Sequence, residues 1–327
     1  ACLIWSVSNN FWLFLIAAVL NCFEQINQTA WYCLLIEDAH QKDLVSIYTW
    51  GTIGGLVAVF FAPISGLFVS KYSVVPVVRV LYFLFSMTMI TKTLITFRFC
   101  HETKQGRIRR AETKNVSILH MLGDYRHLIP SLLRNKGLLK AVCVSVLLYI
   151  TNMVSSNFFS LYVTQRLGLA EDLLAMFPIL NAIVMLVFML GIQHRLDAAK
   201  FRVPLWIGLT LYSVAALVLI FSPSGHLGFV LLYVFLGAVA SALVGPRKEA
   251  LLQLNLDPQE RARLNALIMA STVALTSPFG YLTGWLSSID RRLPFAFACL
   301  LFIAAMLVIR TIQEPSVQEQ SAPGQGA

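Results

Sequence analysis

The run FWLFLIAAVLNCFEQINQTAWYCLLI, residues 11–36, carries one glutamate and four side-chain amides inside an otherwise apolar stretch of helical length. A hydrocarbon core of roughly 30 Å takes about 20 apolar residues of helix to cross. The run is long enough to be one crossing, with Glu24 near its midpoint. At about 100° per residue, Asn21, Glu24, Gln25, Gln28 and Trp31 share about a third of the helix circumference, while Asn27 lies off that face. An acid at mid-membrane depth costs several kcal/mol and normally faces a bundle interior or a watery cavity. The stripe is therefore expected to wall a central polar cavity. Glu24 would carry a proton or pair with a cationic ligand, the amides would bond to the ligand, and Trp31 would stack on it. The competing reading is a protonated Glu24 fixed by hydrogen bonds between helices, with no ligand involved.

The rest of the chain resembles that first run. Of its 327 residues 57% are hydrophobic and only 13% charged, with a mean hydropathy of +0.73, whereas about a quarter of the residues in soluble domains are charged. The bilayer is the expected solvent. Apolar runs at 11–36, 44–70, 75–98, 138–163, 173–193, 203–222, 227–246, 264–287 and 294–311 predict nine helical spans. Membrane strands would show shorter, alternating segments. The chain opens at Ala1 in sequence that is already apolar, with no signal peptide of the usual charged start and cleavage site. It reads as cut into. The six cysteines lack a CxxC pairing and are expected to be packing residues, neither disulfides nor metal ligands.

The net charge of +9 is distributed by loop. Nineteen of the 25 lysines and arginines fall on one side, in 37–43, 98–140, 194–202, 247–263 and the tail from Arg310; the opposite side holds five. By the positive-inside rule the richer side is cytoplasmic, which also puts the C-terminus there. Basicity thus reports topology and gives no reason to expect nucleic acid. The expected organisation is a partial N-terminal bundle at 1–98, a cytoplasmic linker at 99–137, a six-helix bundle at 138–312 and a disordered tail at 313–327. Within the linker, Ile118, Leu119, Leu122, Tyr125, Leu128 and Ile129 recur at helical spacing, which suits an amphipathic helix at the membrane surface or, equally, a solvated linker helix.

In the first span after the linker, Tyr149, Asn152, Ser155 and Ser156 share a face, bordered by Asn157. Asn181 and Tyr212 are single polar residues in their spans and read as structural. RKEALLQLNLDPQERAR, 247–263, reads as a solvated loop, with charge pairs at a gate as the alternative. A weak echo relates the stretch from Leu35 to Pro63 to that from Leu252 to Pro278, where Pro278 and Gly280 sit near the far end of a span. If the echo is a repeat, two helices and most of a third precede Ala1 in a six-plus-six protein.

The chain at this point resembles the major facilitator superfamily of secondary transporters. The resemblance spans essentially all of it: a basic loop between two bundles, six spans after it and three before. Two patterns carry it locally. GIQHRLDAAKFR, 191–202, is similar to the second-half copy of the family's G-x-x-x-D-R-x-G-R loop at Gly191, Lys200 and Arg202, although Arg195 stands where the acid would be. TWGTIGGLVAVFFAPISG, 49–66, is similar to the glycine and proline motif of the family's exporters at Pro63 and Gly66, with Ala58, Ala62 and Leu67 in place of glycines. Gly51, Gly54, Gly55, Ala58 and Ala62 give a small face on which a second helix can approach closely, and Pro63 can bend the helix. Plain helix packing accounts for such a face as well.

The resemblance implies an all-α, multi-pass membrane protein of two bundles, placed in the plasma membrane of a bacterial-type cell. It implies a secondary transporter of a small molecule, proton-coupled through Glu24 and inclined to export. The solute would bind between the bundles, near Glu24 and the face of Tyr149, Asn152 and Ser156. Its partners are that solute, the lipid bilayer and coupling protons, with no cofactor. An intramembrane enzyme needs a second acid, a metal cluster or a nucleophile with its base at one depth, yet the histidines and aspartates fall in loops or at span edges. An ATP-driven pump lacks its phosphate loop, GxxxxGK[ST]. The standing alternative is a nontransporting receptor or scaffold, or an inactive remnant, on the same fold.

Overall fold

The structure is a computed structural model. It describes residues 1–37, 39–40, 43–61, 68, 71–72, 74–113, 130, 134–170, 173–174, 176–192, 196, 201–257 and 260–312. The linker's candidate amphipathic helix, the C-terminal tail, Pro63, Gly66 and Arg195 lie outside the described residues. The described part is helical, with no strand. Six of its helices are long and apolar enough to cross a membrane: Val75–Phe99, Lys136–Arg166, Arg202–Ile220, Leu227–Leu254, Arg261–Ile289 and Leu293–Arg310. The other three expected spans appear as shorter apolar helices, Phe11–Asn21, Leu44–Val59 and Met176–Gly191.

The chain forms two compact units, one of residues 1–38 and 60–122 and the other of 39–59 and 123–327. In the first unit, α1 (Cys2–Val7) packs on α2 (Phe11–Asn21) and on α5 (Val74–Phe99). Asn10 caps α2 by accepting the Leu13 N–H at 2.9 Å. The Trp5 ring lies 5.7 Å from Phe14 and 5.3 Å from Tyr82, while Arg79 of α5 donates to the Ser8 carbonyl at 2.9 Å and to the Asn9 side chain. A short polar helix, α6 (Lys104–Thr113), follows.

The expected single span at 11–36 is two helices. α2 stops at Asn21 and α3 runs Glu24–Ile36. Across the junction the Cys22 and Phe23 N–H groups bond three residues back, to Val19 and Leu20, both at 3.2 Å. The Cys22 thiol also reaches back to the Ala18 carbonyl at 3.5 Å, a side-chain contact of the kind that bends helices. Glu24 consequently occupies the first turn of α3, where a carboxylate meets the positive end of the helix dipole.

In the second unit, α4 (Leu44–Val59) is followed by α7 (Lys136–Leu161, extended by one π-turn, Tyr162–Arg166), α8 (Met176–Gly191), α9 (Arg202–Ile220), α10 (Leu227–Leu254), α11 (Arg261–Ile289) and α12 (Leu293–Arg310). α9 packs on α10 and α12, α12 on α7, α7 on α11, and α8 on α10. The expected first bundle of residues 1–98 is not one unit, because α4 packs on α8 and α10. The cause is local: Ile53 and Leu56 settle on the small side chains of Ala182, Ala238 and Ala242, beside Met185 and Met189.

The expected small face of α4 is therefore not the one that packs. A side chain at Gly51, Gly54 or Gly55 would meet nothing within 4 Å; the close approach is made on the opposite face, by alanines of the neighbouring helices. A close approach between helices is made at Gly208 of α9, where an added methyl group would stand 2.5 Å from Val244 Cγ2 of α10.

α10 also departs from expectation. Its predicted end at residue 246 is overrun by eight residues, since the helix continues through Pro246 to Leu254. Proline removes one backbone donor, but the following RKEALLQL is built almost wholly of strong helix formers. Arg247 and, on α11, Arg261 are buried, so two cations expected in a solvated loop are packed within helices.

Candidate functional site

The second unit holds a partly open cavity of about 710 Å³. Its walls come from helix faces at regular spacing. α10 contributes Tyr233, Gly237, Ser241, Gly245 and Lys248, a stripe repeating every three or four residues, and α7 contributes a parallel set that includes Tyr149, Asn152, Ser155, Ser156 and Phe159. Asn181 and Phe177 of α8, Tyr212 of α9, Phe295 and Phe302 of α12 and Thr52 of α4 add to the polar and aromatic lining.

Polar groups at the wall are held in place by one another. The Tyr212 and Ser241 hydroxyls are 2.6 Å apart, joining α9 to α10, and the Tyr212 ring stacks on Phe302 at 4.9 Å, almost parallel at 2°. Tyr233 donates to the Ser155 hydroxyl at 3.4 Å, joining α10 to α7. Asn181 reaches the Met185 sulfur, one turn along α8, at 3.6 Å.

One end of the cavity is closed by aromatic rings. Phe159 stacks on Tyr233 at 5.3 Å and meets Phe177 edge-on at 5.5 Å, while Phe295 lies edge-on to Tyr233 at 6.4 Å and to Tyr162 at 5.1 Å. Behind them Val163, Leu167, Leu219 and Val230 are buried. The Tyr162 hydroxyl donates to the Leu219 carbonyl at 2.8 Å, tying the end of α7 to the end of α9.

The other end carries Lys248, a full helix stripe away on α10. Among the described lining residues it is the one basic side chain, and none is acidic. Its ammonium lies 2.7 Å from the carboxylate of Glu249, which is not a lining residue, and both side chains are partly exposed.

Of the residues expected at a ligand site, the structure brings Tyr149, Asn152 and Ser156 to this cavity together with Ser155. The stripe from Asn21 to Trp31 belongs to the first unit. There Glu24 and Gln28 are exposed, Asn21 and Trp31 are half-buried, and the Gln25 side chain is outside the described residues. The Trp31 ring is already covered on one face by the Lys92 ammonium, 4.5 Å from its centroid. Gly191 ends α8 in open space, Arg202 is exposed at the first position of α9, and Pro278 and Gly280 lie within α11.

Asn181 and Tyr212, expected to be purely structural, both face the cavity, and Tyr212 serves as wall and tie at once. Tyr233 and Ser241 were not singled out, and Lys248 was expected in a solvated loop or among charge pairs at a gate, not on a cavity wall. The signal for them is the repeat of Tyr233, Gly237, Ser241, Gly245 and Lys248 at helical spacing, visible once α10 is allowed to run past Pro246.

Spanning-length apolar helices around a ligand-sized cavity of mixed polar and aromatic lining define a multi-pass membrane protein with an internal binding space. The chain belongs to the major facilitator superfamily: the family profile of that description matches residues 1–246. It is an integral membrane transporter of a family whose members bind small molecules within the membrane and are generally non-enzymatic. A search among curated proteins finds no match.

Proposed function

We propose that this transporter is a secondary carrier that takes a small solute into the second unit's cavity and passes it across the membrane by alternating access. The observation that carries the reading is the cavity itself: about 710 Å³, within the range of small-molecule pockets, lined by amide and hydroxyl groups and closed at one end by rings. The aromatic end would face away from the cytoplasm and the Lys248 end toward it, a reading supported by the distribution of basic residues among the loops. Coupling to protons through Glu24 and a preference for export extend the proposal, supported by the position of the acid in an apolar run and by the small-residue pattern of α4.

The test needs no knowledge of the solute. A cysteine at Asn152, in a chain whose six native cysteines are replaced by serine or alanine, is exposed to a membrane-impermeant maleimide in right-side-out and inverted vesicles. Alternating access predicts labelling from both faces, with the balance shifted by an imposed proton gradient. Labelling from a single face under every gradient would leave a receptor or scaffold as the better reading. Glu24→Gln in the same background is expected to label from both faces without responding to the gradient. An unchanged gradient response would remove Glu24 from the coupling.

A further inference from the structure

The charge on the cavity wall selects among solutes. The described lining has one ionised group, the Lys248 ammonium, and no carboxylate. A cationic solute would find no counter-charge there and would be repelled at one end. The opposite holds for an anion, which gains a charge-assisted hydrogen bond of the stronger kind.

The placement of that charge adds a direction. Tyr233 and Lys248 bound the α10 stripe and are fifteen positions apart, about 22 Å of helix at 1.5 Å per residue. Rings of Phe159, Phe177 and Phe295 cluster at the Tyr233 end. The cavity is thus apolar and aromatic at one end, polar along its length and cationic at the other. We propose that the solute is an amphipathic organic anion, its carboxylate held by Lys248 and its apolar body lying toward the aromatic end. This rests on reading the cavity as the solute site.

Glu249 explains how a cation is kept there between occupants. It follows Lys248 directly on α10, and consecutive helical residues do not face one another, so the 2.7 Å contact requires both side chains to curl together at a partly exposed position. Ion pairs of that kind are weak. The ammonium has three donors, and a carboxylate arriving in the cavity competes with Glu249 for one that is already oriented.

The test is equilibrium binding to the 327-residue chain in detergent micelles, at one fixed salt concentration, of three probes that share a phenyl body and differ in the charge of the head group: 3-phenylpropionate, 3-phenylpropionamide and 3-phenylpropylamine. The expected order is acid, then amide, then amine, with the acid preferred over the amide by roughly ten- to hundredfold, the equilibrium counterpart of a hydrogen bond to a charged group. Lys248→Gln is expected to abolish that preference, and Lys248→Arg to keep it. Glu249→Gln is expected to tighten acid binding several-fold. Amide or amine binding as tight as the acid, acid preference surviving in Lys248→Gln, loss of it in Lys248→Arg, or no binding of any probe would each overturn the proposal.

The maleimide experiment at position 152 separates this failure from failure of the carrier reading. Two-sided labelling without acid preference rejects only the anion. Acid preference with one-sided labelling keeps the anion site and rejects the carrier.

Discussion

Tyr212 shows how much a single side chain does in this cavity. Its ring is stacked on Phe302 and its hydroxyl is paired with Ser241, so it joins three helices while forming part of the wall. Tyr212→Phe keeps the stack and removes one hydrogen bond, leaving the Ser241 hydroxyl without that partner. The expected cost is about 1 kcal/mol of stability, read as a lower midpoint of thermal unfolding in detergent, and Tyr212→Phe with Ser241→Ala is expected to cost little more than the first change alone. At this scale the sequence was only partly legible. Asn152 and its neighbours stood out because four polar residues share one face of an apolar helix. Tyr212 stood alone on its helix, and its partner lies on another, which spacing within one segment cannot reveal. Glu24 drew notice for its depth in an apolar run; the turn at Cys22 and Phe23, which makes it a first-turn residue of α3, depends on backbone bonds that hydropathy does not register.

Among the elements, α9 and α10 meet at close range at Gly208. Gly208→Ala would drive a methyl group to 2.5 Å from the Val244 side chain and 3.3 Å from the Ala240 carbonyl. The carbonyl cannot yield without moving α10, so the substitution is expected to destabilise by about 1–3 kcal/mol. Gly54→Ala, facing open space on α4, is expected to raise stability slightly or leave it unchanged, because alanine is the better helix former. Side-by-side melting curves of the two variants check both signs. Helix existence was legible in the length of each apolar run. Helix ends were not: Pro246 reads as a stop, yet one lost bond is outweighed by eight following residues of high helix propensity. That error hid Lys248 in a supposed loop.

For the whole molecule, composition and run length were enough to give an all-helical membrane protein, and the basic loops suggested its sidedness. Which helix belongs to which unit was not written in the order of the chain. α4 precedes the linker but packs with the helices after it, because Ile53 and Leu56 need small neighbours and α8 and α10 supply them. Ile53→Ala is therefore expected to loosen the second unit by about 2–4 kcal/mol. Limited proteolysis should then release fragments cut between α4 and α7 faster than in the parent protein, and an unchanged rate would detach α4 from that unit.

The ring cluster at the end of the cavity also sets a timescale. Separating Phe159 from Tyr233 and from Phe177 forfeits two aromatic contacts, worth together about 1–3 kcal/mol beyond the area they bury. Entered as a barrier, that sum slows opening of this end by only about five- to 150-fold. On the carrier reading proposed above, the rings would serve this end as a latch: firm enough to bias it toward closure, and light enough to lift within a single turnover.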